Sequence, residues 1–323
     1  IRNEKFYGRA KETKVIDFLG KKKIFFILSA VVIIAGFVTM GVHKGNGGDA
    51  LNYSLEFKGG TSTSVEFNED MSIEELDEKV VPIIEEISKD ANVQTQKVQG
   101  SNQVIFKSAT LDVSQREELN SRLEEEFGVD PEKITAETIS STISSEMRTG
   151  AVSAVVVSTV LMLLYVWFRF KDVRFGASSV AALVHDVLVV LAFYAAARVS
   201  VGNTFIACML TIVGYSINAT IVIFDRIREN MTSYKTKEEL AAIVNRSISQ
   251  TLSRSIFTSL TTFIMVAVLY ILGVSSIKEF ALPLMVGIAC GTYSSICLAS
   301  AFWYLLRTRV GGKKAEKNKK AAK

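Results

Sequence analysis

The side chains that could do chemistry here stand out because the sequence around them is apolar. Asp186 follows His185 near the middle of one apolar run, in Ala182-Leu183-Val184-His185-Asp186-Val187. Asn218 lies in the next run on a polar stripe with Thr211 and Tyr215, at i, i+4 and i+7 on one helical face. Ser255, Thr258, Ser259 and Thr262 form a similar stripe, headed by Arg254. A carboxylate at bilayer depth needs a partner or a proton, so Asp186 points to proton or ion transfer. Arg254 is either an ion partner within the membrane or a cation snorkelling to its surface. The Ser and Thr residues fit a plainer role as glue between helices, each interaction contributing under about 2 kcal/mol.

Other chemistry is not expected. Phosphate-cradling loops, zinc spacings and nucleophile elbows are missing, and residues 51–148 contain neither His nor Cys. The sequence therefore predicts no enzyme, no catalytic residue, no metal ligand and no cofactor. Cys208, Cys290 and Cys297 fall inside apolar runs and read as buried small hydrophobes. Gly287 and Gly291 stand four apart, the spacing that lets two helix backbones approach closely.

Six runs are long enough to carry these residues across a hydrocarbon core about 30 Å thick. They cover 24–42, 149–168, 176–197, 204–224, 255–273 and 280–306, with a loop at 225–254. The net charge of +4 is unevenly spread: residues 43–148 hold 10 Lys and Arg against 22 Asp and Glu, leaving 27 against 11 elsewhere. Basic residues crowd segment 1–23, the 169–175 and 225–254 loops and the tail 307–323, which places both termini in the cytoplasm and 43–148 outside. The tail's lysines suit contact with anionic lipid better than with nucleic acid. The start at Ile1 rather than Met fits a processed or trimmed polypeptide.

Between the first two spans the pattern changes to short alternations. Strands are expected at 51–57, 61–67, 92–98, 103–106 and 133–139, with helices at 72–87 and 114–127. Ser72 and Glu75 have capping-box spacing, and Pro82 should kink or divide its helix. Omitting the first short strand, the order is β-α-β-β-α-β, the split arrangement of ferredoxin-like domains. The fold class is thus a six-helix membrane bundle with an α+β ferredoxin-like extracytoplasmic domain inserted between spans one and two, suited to handling a partner.

The string Val213-Gly214-Tyr215-Ser216-Ile217-Asn218, followed after five residues by Phe224-Asp225-Arg226-Ile227-Arg228-Glu229-Asn230, resembles the SecF family of the bacterial SecDF protein-export complex, in the resistance-nodulation-division superfamily. Leu55-Glu56-Phe57-Lys58-Gly59-Gly60-Thr61, the His185-Asp186 run and Gln250-Thr251-Leu252-Ser253-Arg254-Ser255 support it, and the likeness covers about 14–307. The resemblance implies a cofactor-free, multi-pass subunit of the bacterial inner membrane. It would pair with SecD and use the proton or sodium gradient to help draw unfolded preproteins from SecYEG on the outer side, with YajC and YidC as further partners.

The family motif continues with Asp after Asn218, the acid assigned to ion transport, whereas this chain has Ala219. Arg254 matches the family's arginine in the fifth span. Ser54, Glu56 and Lys58 replace the usual Gly, Asp and Thr. Three readings of Ala219 follow: natural or engineered loss of the acid, relocation of its task to Asp186, or dependence on acids of SecD. Two rival functions stand beside export, a structural subunit without ion transport and half of a small-molecule exporter.

Overall fold

The computed structural model describes residues 15–91, 93–98, 101–170, 172–231 and 236–308. Most of segment 1–23 and of the basic tail lies outside the described residues, as do Asn92 at the start of one expected strand and Gly100 in the expected turn after it. In chain order the elements are α1 (Lys22–Gly45), β1 (Asn52–Tyr53), α2 (Leu55–Lys58), β2 (Gly60–Glu66), α3 (Ile73–Lys79), α4 (Val81–Ser88), β3 (Gln94–Lys97) and β4 (Gln103–Ser108). They continue with α5 (Val113–Phe127), β5 (Ile134–Ile139), α6 (Ser141–Phe170), α7 (Val173–Ala197), β6 (Ser200–Val201), α8 (Asn203–Asn230), α9 (Lys237–Leu272) and α10 (Ser275–Tyr293). Helix α10 runs on through a π-helical turn, Ser294–Ala299, to Thr308. Among the described residues six helices are long and apolar enough to cross a membrane: α1, α6, α7, α8, α9 and the α10 segment.

The chain divides into two compact units, one drawing on the segments up to Thr39, Ser158–Ala196 and from Ala207, the other on Met40–Val157 and Ala197–Ile206. In the second unit an antiparallel sheet has the order β3-β4-β2-β5. Its core gathers Val65 and Phe67, Val104 and Phe106, and from the helices Leu76, Ile84, Leu119 and Leu123, all nearly inaccessible. Pro82 falls in the first turn of α4, where its missing N–H costs nothing, so the apolar stretch expected as one helix becomes two. The sheet's alternation of buried and half-buried positions follows the period of two read from the sequence.

The strand expected at 51–57 is confined to Asn52–Tyr53, and Leu55 to Phe57 belong to the short helix α2. The cause is local: Ser54 caps a single turn whose Phe57 and Lys58 N–H groups bond to its carbonyl, burying Leu55 and Phe57 together. The chain then reverses through Gly59 and Gly60 at φ of 75° and 115°. A Cβ on Gly60 would meet the Ser108 carbonyl, so both space and backbone require glycine. Asn52 and Tyr53 pair in parallel with Ser200 and Val201.

The expected loop 225–254 is largely helical. Helix α8 continues to Asn230, and Thr236 caps α9 with its side chain accepting from the Glu239 N–H. Leu240, Val244 and Ile248 then bury one face at helical spacing. The opposite task falls to polar residues: Asn245 accepts from the Phe18 and Leu19 N–H groups, donates to Asp17, and Ser249 accepts from the Ile16 N–H. The Gly20 N–H and the Asn245 amide hold the Asp17 carboxyl below its ordinary value.

Three glycines set helix spacing. Gly36 of α1 lies against Ala192 of α7, where an added Cβ would meet backbone as well as side chain. Gly287 faces the flexible end of Ile212, and Gly291 lies against Ser216 of α8. Overpacking costs typically about 1–3 kcal/mol, and less where a side chain can turn away. Gly36→Ala is therefore expected to lower the thermal midpoint of the detergent-solubilised chain more than Gly287→Ala, and equal midpoints would contradict this account.

The caps of α3 and α5 give a pH prediction. Glu75 is held below its ordinary value by the Ser72 N–H and hydroxyl, and Asp112 by the Gln115 N–H and the Ser114 hydroxyl. With the folded value lowered, each cap's stabilisation is complete above the ordinary carboxylate range and fades as pH falls through the lowered value. Glu75→Gln should flatten the acid side of the thermal midpoint against pH profile, and an unchanged profile would exclude Glu75 from it.

Candidate functional site

Helix α8 carries polar residues on two faces, and each face builds a separate cluster. On one, Ser216 donates to Asp186 Oδ2 of α7 at 2.5 Å, and Ser294 of the π-helical turn donates to the same oxygen at 2.8 Å. Cys290 Sγ lies 3.3 Å from Oδ1 and His185 Nδ1 lies 3.0 Å from it. Asp186 is 1% exposed, so these groups stand in for water around a carboxylate. Below it Thr220 and Ser295 bond at 2.9 Å, and Ser295 also donates to the Ser216 carbonyl.

The wider π-helical turn lets consecutive residues Ser294 and Ser295 both reach toward α7 and α8. Such turns recur at functional positions in long helices. His185 Nδ1, the Asp186 carboxylate and Cys290 Sγ lie within 4.8 Å of one another, an N, O and S set of the kind divalent metals accept. Cys290, read from the sequence as a small hydrophobe, is thus also a polar partner of Asp186. Its only signal was position, four residues before Ser294 on the helix that carries the glycine pair.

On the other face of α8, Tyr215, Asn218 and Ala219 meet Arg254, Ser255, Thr258 and Ser259 of α9 around a cavity of about 70 Å³. The polar stripes expected on these two helices therefore face each other. Asn218 and Arg254 are exposed, while Ser255 is buried and Ser259 accepts from Thr292 of α10 at 2.6 Å. Tyr215 Oη and Ser255 Oγ are inaccessible and have no hydrogen-bond partner among the described residues. Arg254 forms no ion pair among them. Asp186 belongs to the first cluster and has no contact with Arg254, so the four residues expected as one polar set form two.

Asp225, Arg226 and Asn230 of the same motif as Asn218 tie helix ends together. Asp225 pairs with Arg169 at 2.7 Å. Arg226 donates to Gln250 and Glu229, and Asn230 donates to Ser247 and Gln250, tying the end of α8 to the start of α9. Gly214 meets open space and Arg228 is exposed.

Comparison with known proteins adds the family. The model described as protein export membrane protein SecD/SecF, C-terminal, matches residues 119–309. Protein translocase subunit SecF of Sebaldella termitidis is 36% identical over 301 residues, covering 93% of this chain and 94% of that protein. Protein translocase subunit SecDF of Bacillus subtilis is 34% identical over 298 residues, 91% of this chain and 38% of that protein. The crystal structure of SecDF from Thermus thermophilus superposes with a TM-score of 0.76 at 35% identity, covering 92% of this chain and 39% of that one. The chain thus spans about two fifths of each SecDF protein and nearly all of the separate SecF relative. By these matches and by its six apolar helices, the chain belongs to the SecD/SecF family of protein export membrane proteins.

Proposed function

We propose that this chain is the SecF-type half of a SecDF protein-export unit, pairing with SecD to couple an ion gradient to the outward passage of unfolded preprotein through SecYEG. The observation that carries the reading is the polar face of α8 and α9. It presents Asn218 and Arg254 outward from the chain, where lipid would leave them unsatisfied and a partner's helices would cover them. The SecDF relatives, more than twice as long as the matched region, support SecD as that partner.

In this reading the termini are cytoplasmic, as the basic flanks favour, and residues 43–148 form the outer domain. The sheet order β3-β4-β2-β5, with α3 and α4 before β3 and α5 before β5, supports reading this domain as ferredoxin-like. The domain handles emerging polypeptide, and ion movement runs past Arg254. YajC, YidC and anionic lipid are the further partners that the family suggests.

One observation favours a second reading, that of a structural subunit without ion transport. Position 219 carries no acid, and the Asp186 carboxylate is already satisfied as a cross-link among α7, α8 and α10.

The readings separate in vesicles that contain this chain with SecD. Arg254→Met is expected to reduce gradient-driven ion flux and export to the level of vesicles without the chain, and full retention would remove Arg254 from the mechanism. Ala219→Asp is expected to raise both, because it restores a titratable group beside Arg254. No change in either would favour the structural reading.

A further inference from the structure

Helices α7 and α10 bring three metal-ligating side chains of different kinds to one point. His185 Nδ1, Asp186 Oδ1 and Cys290 Sγ form a triangle with sides of 3.0, 3.3 and 3.9 Å. A tetrahedral zinc ion, with bonds of about 2.0 Å to nitrogen and oxygen and about 2.3 Å to sulfur, sets its ligand atoms roughly 3.3–3.6 Å apart. Shifts of a few tenths of an ångström would therefore turn these contacts into one face of a coordination sphere. The carboxylate is already aimed: Ser216 and Ser294 donate to Oδ2, which leaves Oδ1 to the imidazole and the thiol. Outer hydrogen bonds of that kind orient the ligands of metal sites.

Charge is a second argument. Among the described residues no lysine or arginine pairs with Asp186, which at 1% exposure has only the imidazole beside it as a counter-charge. A divalent ion held by the Asp186 carboxylate and the Cys290 thiolate makes a neutral group, the cheaper arrangement away from water.

We infer that His185, Asp186 and Cys290 bind a zinc-class divalent ion that clamps α7 to α10. Sulfur and imidazole ligands select zinc or cobalt over magnesium and calcium, which prefer oxygen. On binding, the thiol releases its proton to solvent and the imidazole carries its own on Nε2, leaving Nδ1 to the metal. His185 Nε2 has no hydrogen-bond partner among the described residues, so no neighbour fixes the other tautomer from that side. An entry path is present as well: His185 and Cys290 both line a groove of about 470 Å³ among α1, α7, α9 and α10. The sequence gave no zinc spacing because the ligands lie on two helices, with His185 and Cys290 separated by 105 positions. The inference rests on this geometry and not on the transport reading.

The test uses the full chain without an affinity tag, purified in detergent from cells grown with added zinc, so failed export leaves it untouched. Wild type is expected to retain one zinc ion per chain by elemental analysis, and Cys290→Ala and His185→Gln only background. His43→Gln and Cys297→Ala should retain the ion. Cobalt loaded in place of zinc should give a thiolate-to-cobalt charge-transfer band that Cys290→Ala abolishes. Zinc should also raise the thermal midpoint of chelator-treated wild type, with magnesium failing to do so. The metal-free Cys290→Ala chain should melt near metal-free wild type and not respond to zinc, which separates loss of the ion from loss of the fold. Wild type that retains no zinc, or zinc retained in full by Cys290→Ala, would overturn the inference.

Discussion

Lipid offers no hydrogen bonds, so each polar group in the helical unit must be satisfied by the protein itself, and α8 shows how far that constraint reaches. Asp186 is tolerable at 1% exposure only because Ser216, Ser294, Cys290 and His185 surround its carboxylate. Those donors come from three helices and must converge within about 3 Å. Gly291 allows it by bringing α10 against Ser216. The π-helical turn then rotates Ser294 and Ser295 into place. The small residues and the polar residues are therefore one device, since close packing without the donors would strand the carboxylate, and the donors without close packing would not reach it.

The same economy operates at the membrane-flanking ends. Helix α9 is 36 residues long, about 54 Å at 1.5 Å per residue, far more than a hydrocarbon core requires. The excess turns carry Asn245, Ser247, Ser249 and Gln250, which satisfy the backbone of residues 16–19 and the side chains of Arg226 and Asn230. Polar bonds and the buried Leu240, Val244 and Ile248 fasten this extension of α9 to its neighbours, whereas farther along most of its apolar side chains are exposed and the Thr292 hydroxyl holds Ser259. Trp303 stacked on Phe175, with Phe170 and Phe224 around them, fills the core of this unit.

Much of this was legible in the sequence, and the losses have physical causes. Six spans could be read because a run of about 20 apolar residues has few other meanings. Their ends could not, because extensions such as 237–254 and 141–148 are amphipathic helix whose composition resembles a loop. Ser72 with Glu75 announced a cap through spacing alone, whereas Leu55 to Lys58 alternates like a strand and becomes a helix because the chain must turn into Gly59 and Gly60. Asp186 and Arg254 were conspicuous as charges in apolar surroundings. That they belong to different clusters depends on how α7, α8 and α9 are rotated against each other, which no single helix encodes.

Position 219 shows why the separation matters. An aspartate beside Arg254 would do two things at once: neutralise the guanidinium, and offer a group that can gain and lose a proton. With alanine the first task remains, since Arg254 and the unsatisfied hydroxyls of Tyr215 and Ser255 are still there, and the second is gone from this chain. The neighbouring Asp186 does not inherit it by simple proximity. Its oxygens are held on the opposite side of α8 by donors of its own, and reaching Arg254 would mean breaking bonds to Ser216 and Ser294 and leaving them unmade in a medium without water. Neutralising Arg254 and carrying a proton are thus separable tasks in this fold: the arginine sets the need for the first, and the second depends on where an acid is placed around it.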